Sequence, residues 1–167
     1  MPSTRFTLPA RVAVAACLGF TLSGCTVEAG SVVGLSVSAD GHLLAVVAVC
    51  KGYLDGVSVY SGEGSEVRDD GRWQHTGRFS GNATLDLQVP DGVWTTKTAL
   101  ALDPARRQSI YGWTKDNRWS AVGPDFHASD LNKMRTGQVW IERVQGDGFI
   151  TTLVPMAKFH ESVCHAG

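Results

Sequence analysis

Apolar and polar residues along much of the chain alternate with the two-residue period of β-strands. Residues 84–89, TLDLQV, alternate completely, so the leucines and the valine would face one side of a strand and the polar residues the other. Residues 42–50, HLLAVVAVC, form a continuous valine-rich apolar run, whose length and branching favour a buried central strand. Further candidate strands cover residues 31–38, 57–60, 72–79, 93–100, 109–115, 138–144 and 149–159.

Turn signals separate most of these runs. Asp-Gly pairs, which tolerate the positive φ of tight turns, occur at Asp40, Asp55, Asp70, Asp91 and Asp147. Roughly seven to nine short strands with frequent turns are typical of an antiparallel sandwich. We therefore predict an all-β fold, an antiparallel immunoglobulin-like sandwich, with a small β-barrel as the alternative.

Helical signals in the chain are few. No segment shows a long 3.6-residue apolar period, and the best candidate is the short stretch 129–134, with Ser129 or Asp130 as its N-cap. Pro155 is expected to mark an edge or a break in the last strand, because proline cannot donate a ladder hydrogen bond.

The N-terminus has the layout of a secretory signal. Residues 1–11 carry two arginines and no acid, residues 12–22 are almost wholly apolar, and small residues precede Cys25. The apolar run is about half the ~20 residues that a spanning helix needs. The four residues 22–25, LSGC, resemble the lipobox of bacterial lipoproteins. That resemblance implies a signal peptide at 1–24, lipid on the Cys25 sulfur, and anchoring at the outer face of the cytoplasmic membrane. An ordinary secretory signal with an incidental cysteine is the alternative.

The predicted organisation is a signal peptide at 1–24, a lipidated tether at 25–30 and one β-domain at 31–167. The stretch GLSVSADGHLLAVVAVCKGYLDGVSVY, together with a late cysteine, is also similar to small actinobacterial lipoproteins and secreted proteins. This likeness implies no particular activity.

Charge narrows the classes of partner. The chain has 15 Lys and Arg and 16 Asp and Glu, and the signal holds two of the basic residues, so the mature charge is 13 minus 16, or −3. A nucleic-acid binder would show a basic face, so no nucleic-acid partner is expected. The overall charge does not favour attachment to anionic lipid either, so the acyl chains on Cys25 would hold the protein at the membrane.

Two cysteines remain once the signal and the lipidated residue are set aside. Cys50 and Cys164 would form one disulfide in an oxidising compartment, and two unpaired thiols are the alternative. The C-terminal stretch KFHESVCHAG also places His160 and His165 close to Cys164. One thiolate and two imidazoles are suitable ligands for zinc or copper, so these residues are a weak candidate for a metal site. The histidines are five apart, not four as on a zincin helix, and a disulfide would remove the thiolate. No cofactor is predicted.

An aromatic segment is the best candidate for a ligand site. Tyr111, Trp113 and Trp119 lie close together in sequence with Asn117, and aromatic rings next to amides and charges can stack on sugars. Tryptophan more often fills a core, which is the alternative.

No catalytic motif is evident in the chain. No G-x-S-x-G elbow, P-loop or G-x-G-x-x-G occurs, and Asp69, Asp70 and Asp125 do not form a calcium-loop pattern. The leading hypothesis is a non-enzymatic envelope module that binds another envelope protein or a wall polymer. The alternatives are a carbohydrate- or peptidoglycan-binding module, and a hydrolase or metal-dependent enzyme built around His75 or His127 with two carboxylates in one cleft.

Overall fold

The protein is mostly β-strand, as predicted. The structure, a computed structural model, describes residues 27–146 and 148–165. The strands are β1 Glu28–Val37, β2 Leu43–Ser61, β3 Arg68–Asp86, β4 Trp94–Thr98, β5 Gln108–Trp113, β6 Trp119–Phe126, β7 Gln138–Gln145 and β8 Gly148–Pro155. Three 3₁₀ turns (Gly64–Glu66, Ala128–Lys133 and Met156–Lys158) and the helix α1 Phe159–Cys164 complete the fold. Among these residues there is no helix with the length and hydropathy of a membrane span.

The sheet closes into a small barrel with extra strands. Its order is β4-β3-β2-β5-β6-β1-β7-β8, and an additional β1–β2 pairing joins two non-neighbouring strands of that list into a closed circuit. The all-β class is confirmed, and the arrangement is the small barrel that the sequence left as the alternative to the sandwich. One pair departs from the antiparallel expectation, because β1 and β6 run parallel.

Two strands are much longer than the sequence predicted. β2 and β3 each span 19 residues, and β2 pairs with β1 through its first half and with β5 through its second. Register shifts between Val49 and Leu54 mark the bend between the two halves. One strand can therefore serve two parts of the barrel wall.

Three predicted turns have different outcomes. The turns at Asp40-Gly41 and Asp91-Gly92 are confirmed, whereas Asp55-Gly56 lies inside β2. A Cβ on Gly56 would collide with the Trp113 ring, so this glycine makes room for a side chain and does not form a turn.

Asp70-Gly71 lies inside β3 for a similar reason, since a Cβ on Gly71 would meet the Trp73 ring. The turn expected at Asp147 lies outside the described residues.

The ends of the predicted strands also differ in detail. Leu85 and Leu87 are buried as the alternation predicted, but Val89 is 64% exposed. β3 ends at Asp86, whose carboxylate accepts the N–H groups of Gln88 and Val89, each at 2.9 Å, and turns the chain away from the barrel.

The C-terminal third contains one unpredicted strand and one unpredicted helix. β6 was missed because its sequence holds the breakers Gly123 and Pro124. Pro155 ends β8, as expected, but residues 156–164 are helical and not strand. The predicted helix at 129–134 is a 3₁₀ turn at Ala128–Lys133 whose N-cap is His127, not Ser129 or Asp130.

Two apolar clusters stabilise the barrel. The larger lies inside it and includes the fully buried Trp73 and Phe126. The smaller lies outside the wall, where α1 and the β7–β8 hairpin cover β1 and β2. Alternate residues of β2 enter the two clusters, which explains its continuous apolar run and confirms the buried strand predicted at 42–50.

The Cys50–Cys164 disulfide is present. The two Cα atoms are 5.1 Å apart, within the usual range for a bridged pair. The bond ties the last residue of α1 to β2, on the side where α1 packs.

Candidate functional site

A cleft forms where two strands diverge from the same edge of β1. The first half of β1, Glu28 to Val32, pairs with β6, whereas Leu35 pairs with Trp140 of β7. Because β6 and β7 separate between these points, Val32 and Val33 are left at the floor of the gap. The divergence thus creates a cavity without any special loop.

The cavity between β6 and β7, called here the apolar pocket, has a volume of about 380 Å³. Its lining residues are Val32, Val33, Arg107, Val122, Gly123, Asp125, Glu142 and Phe149. Phe149 and Val122 are 72% and 56% exposed, and both line the same cavity. Their side chains form apolar walls of the pocket that are in contact with solvent.

A second cavity, called here the polar pocket, adjoins the first and has a volume of about 450 Å³. Its lining residues are Tyr60, Ser61, Gly62, Glu63, Arg106, Arg107, Ser109 and Asp125. Gly62 has a φ of +89°, so glycine allows the chain to turn sharply where β2 ends. Hydroxyl, carboxylate and guanidinium groups line this cavity, whose polar share is larger than that of the apolar pocket.

The two pockets share Arg107 and Asp125. The Arg107 guanidinium lies 2.8 Å from the Asp125 carboxylate, and the Ser109 hydroxyl donates a hydrogen bond to the same carboxylate. Ser109 and Asp125 are register partners on β5 and β6, which explains why they meet. The ion pair therefore forms a polar boundary between an apolar and a polar cavity.

Glu142 adds a second carboxylate to the apolar pocket. Burial raises the pKa of Glu142, and the negative charge of Asp125 acts in the same direction, against the opposing influence of Arg107. The backbone N–H of Asp125 donates to Glu142 Oε1 at 3.4 Å, an interaction that lowers the pKa in part. Two acidic side chains with different environments thus line one cleft.

The predicted aromatic site is divided by the fold. Tyr111 and Trp113 both point outward from β5, where Tyr111 packs edge-on against Tyr60 at 5.3 Å between ring centroids. Arg72 covers the Trp113 ring at 4.3 Å, so that face is occupied. Tyr111 lines a cavity of about 200 Å³ together with Tyr60, Val67 and Asp69.

Trp119 and Asn117 do not join that surface. Trp119 is only 9% exposed and packs so closely on Gly30 and Gly52 that a Cβ on either glycine would approach its ring to within 2.8 Å. Asn117 has a φ of +52° in the tight turn before β6. Within the described residues, these two side chains serve the core and a turn.

The C-terminal histidines do not assemble a metal site in the described residues. The rings of His160 and His165 are 6.1 Å apart, and Cys164 is held in the disulfide. No three His, Cys, Asp or Glu side chains in residues 27–146 and 148–165 are grouped to hold a metal ion. The aspartates considered for calcium do not share a site either. Asp70 pairs with Arg68, Asp69 with Arg72, and Asp125 with Arg107.

The remaining sequence predictions about sites lie elsewhere. Cys25 and the signal segment lie outside the described residues, and so does part of the expected tether. β1 begins at Glu28, three residues before the start expected for the β-domain. His75 packs between Phe79 and Trp94, and neither His75 nor His127 lines the two pockets.

Sequence reasoning did not find the cleft residues. Arg107, Asp125 and Glu142 are separated by 18 and 17 positions and form no motif. The Arg106-Arg107 pair was the one visible signal, because arginine commonly pairs with carboxylates. Neither a protein-family model, nor a curated protein, nor a solved structure matches this chain.

Proposed function

We propose that this protein is a non-enzymatic binding module of the bacterial cell envelope, with the two-pocket cleft as its ligand site. In this proposal, lipid on Cys25 anchors it to the outer face of the cytoplasmic membrane. The observation that carries the ligand site is the Arg107–Asp125 pair, which separates an apolar from a polar cavity.

The chemistry of the cleft favours an amphipathic partner. Exposed Phe149 and Val122 would gain most from contact with an apolar side chain, because burying a large apolar side chain is worth about 1.5–3 kcal/mol. Arg106 and Arg107 are already paired with Asp103 and Asp125, so the hydroxyls and charged groups of the polar pocket would hold an amide or another uncharged polar group at the same time. A segment of another envelope protein offers both kinds of group on one strand or helix, whereas the sugar units of a wall polymer offer no apolar group as large as a leucine or phenylalanine side chain.

Site-specific crosslinking in intact cells tests the ligand site. A photo-crosslinking residue is placed at Phe149, at Val122, or at Val89, which is 64% exposed and lines neither pocket. We expect the same adduct from the two cleft positions and none from Val89. Arg107→Gln should weaken both adducts. Adducts that are equal at all three positions would contradict the proposal.

Intact mass of the protein purified from membranes tests the anchor separately. A chain that begins at Cys25 and carries a diacylglyceryl group is expected. Reduction should add about 2 Da through the Cys50–Cys164 bond. An unmodified chain would contradict the anchor while leaving the ligand site open to test.

A hydrolase is a second candidate, favoured by the two carboxylates in one cleft. Glu142, whose pKa is raised by burial, has the character of a general acid, and Asp125 is the partner carboxylate. Turnover of a wall glycan fragment that Glu142→Gln abolishes, with binding retained, would support this candidate. Absence of turnover by the unmodified protein would leave binding as the function.

A further inference from the structure

Basic side chains gather at the end of the barrel where the chain enters β1. Glu28, the first residue of β1, donates its N–H to the carbonyl of Arg118 at 3.4 Å, and its carboxylate binds Lys51 Nζ at 2.6 Å. Arg78 lies 4.1 Å from the Tyr53 ring and 3.4 Å from Asp116. This surface, called here the basic end, consists of Lys51, Arg78, Lys115 and Arg118, all exposed.

The basic end carries a positive surplus in a chain of opposite overall charge. Glu28 and Asp116 balance Lys51 and Arg78. Neither Lys115 nor Arg118 forms an ion pair within residues 27–146 and 148–165, although buried Asp55 accepts the backbone N–H of Lys115. Counted by formal charge, the four cations of the basic end face three carboxylates, those of Glu28, Asp116 and Asp55, which leaves a surplus of one positive charge. The exposed side chains of Lys115 and Arg118 can contact an external anion.

Aromatic groups accompany these cations. The Trp119 ring lies 5.1 Å below Lys51 Nζ, and the Tyr53 hydroxyl donates to Asp116. Trp119 is only 9% exposed and supports Lys51 from below, whereas Tyr53 is partly exposed. Tyrosine beside arginine and lysine is typical of surfaces at the level of lipid headgroups. The turn that carries Lys115 and Arg118 is held by the Thr114 hydroxyl, which accepts the Trp119 N–H at 3.1 Å, so the surface is built on ordered backbone.

We infer that the basic end binds the anionic headgroups of the membrane to which Cys25 would anchor the protein. This inference rests on the anchor in the proposed function. Cys25 precedes Glu28 by three residues, a distance of at most about 10 Å for extended chain. Because the tether is this short, the lipid on Cys25 would hold the basic end, and not another face of the barrel, against the bilayer. Charge complementarity then selects anionic lipid as the occupant.

Lysine footprinting of the lipidated protein tests the inference. The protein is placed in vesicles of phosphatidylcholine, with or without about 30% phosphatidylglycerol, and exposed lysines are acetylated and counted by mass spectrometry. We expect Lys51 and Lys115 to react about fivefold more slowly on the anionic vesicles, and high salt to remove the difference. Lys97 and Lys133 lie outside the basic end and should react equally on both.

A matched pair of variants adds a control. Arg78→Gln with Arg118→Gln should restore rapid labelling of Lys51 on anionic vesicles. Lys97→Gln with Arg135→Gln removes the same charge elsewhere and should leave the protection unchanged.

Several outcomes would overturn the inference. Equal labelling of Lys51 and Lys115 on both vesicles, with the protein still vesicle-bound through its lipid, would do so. Equal protection by soluble poly(glycerol phosphate) would assign the surface to a wall polymer. Failure of the protein to remain on neutral vesicles would instead contradict the anchor, which keeps the two proposals distinguishable.

Discussion

Loss of the Cys50–Cys164 disulfide should lower the free energy of unfolding by about as much as a large-to-small substitution in the core. The bond joins residues 114 positions apart. The chain-entropy model assigns a loop of that length roughly 5 kcal/mol, and measured values for native disulfides are usually about 2–5 kcal/mol. A comparable loss from packing would require a large-to-small change at a fully buried residue.

Urea unfolding of the double variant Cys50→Ser, Cys164→Ser measures this effect. The wild type under reducing conditions is the matched control, because it lacks the bond but keeps both side chains. We expect the two to unfold at similar urea concentrations, and both well below the oxidised protein. A loss under about 1 kcal/mol would refute the reasoning, since it would mean that the unfolded chain is not constrained by the loop.

Hydrogen exchange separates a global from a local effect. The disulfide also holds α1 against β2, where Phe159 is buried in the smaller apolar cluster. If the bond acted mainly by docking α1, exchange would accelerate in that helix while the global unfolding midpoint hardly moved. We expect faster exchange throughout the barrel, because the bond restricts the whole unfolded chain.

Two further predictions concern stability. Gly52→Ala should lower the free energy of unfolding in urea by more than about 2 kcal/mol, because φ of Gly52 is +77° and a Cβ would lie 2.5 Å from the Trp119 ring. Gly41→Ala is the control, because Gly41 has a similar φ of +83° but no atom near the added Cβ, and it should cost only about 1 kcal/mol. Similar losses at the two glycines would contradict this. The pKa of Glu142 is raised in the folded state, so the native protein binds more protons than the unfolded chain around and just above the ordinary glutamate pKa. The contribution of Glu142 to stability should therefore fall as pH rises through that window, whereas the lowered pKa values of Asp70, Asp86, Asp116 and Asp130 make contributions of the opposite sign. Urea titrations of the wild type and of Glu142→Gln at successive pH values isolate the Glu142 contribution as the difference between the two unfolding free energies. A difference that does not change with pH would contradict the prediction.

The strands could be predicted from the sequence because they depend on local alternation, but their lengths could not. Asp55-Gly56 reads as a turn, whereas the structure uses the missing Cβ of Gly56 to admit the Trp113 ring. Nothing within a few residues of Gly56 distinguishes these two uses. The distinction depends on β5, which lies more than 50 positions away in the chain and pairs Trp113 with Gly56.

The candidate site could not be predicted for the same kind of reason. Arg107 meets Asp125 because β5 and β6 pair Ser109, two residues after Arg107, with Asp125. Glu142 reaches them because β7 leaves the edge of β1 that β6 also uses. Both conditions are properties of strand pairing over long sequence separations. The disulfide was predictable because the sequence expectation set Cys17 aside with the signal and Cys25 aside as the lipidated residue, which left Cys50 and Cys164 as the pair.

The proposed anchor and the proposed ligand site are compatible in geometry. β6 runs parallel to β1, with Trp119 level with Glu28 at the end that a lipid on Cys25 would hold near the bilayer. Asp125 lies six residues further along β6, so the Arg107–Asp125 boundary is about 20 Å from that end. A bilayer in contact with the basic end would leave both pockets open to the extracytoplasmic space. A partner that reaches the cleft must therefore project from the membrane by a similar distance, which favours an envelope protein over a lipid as the ligand.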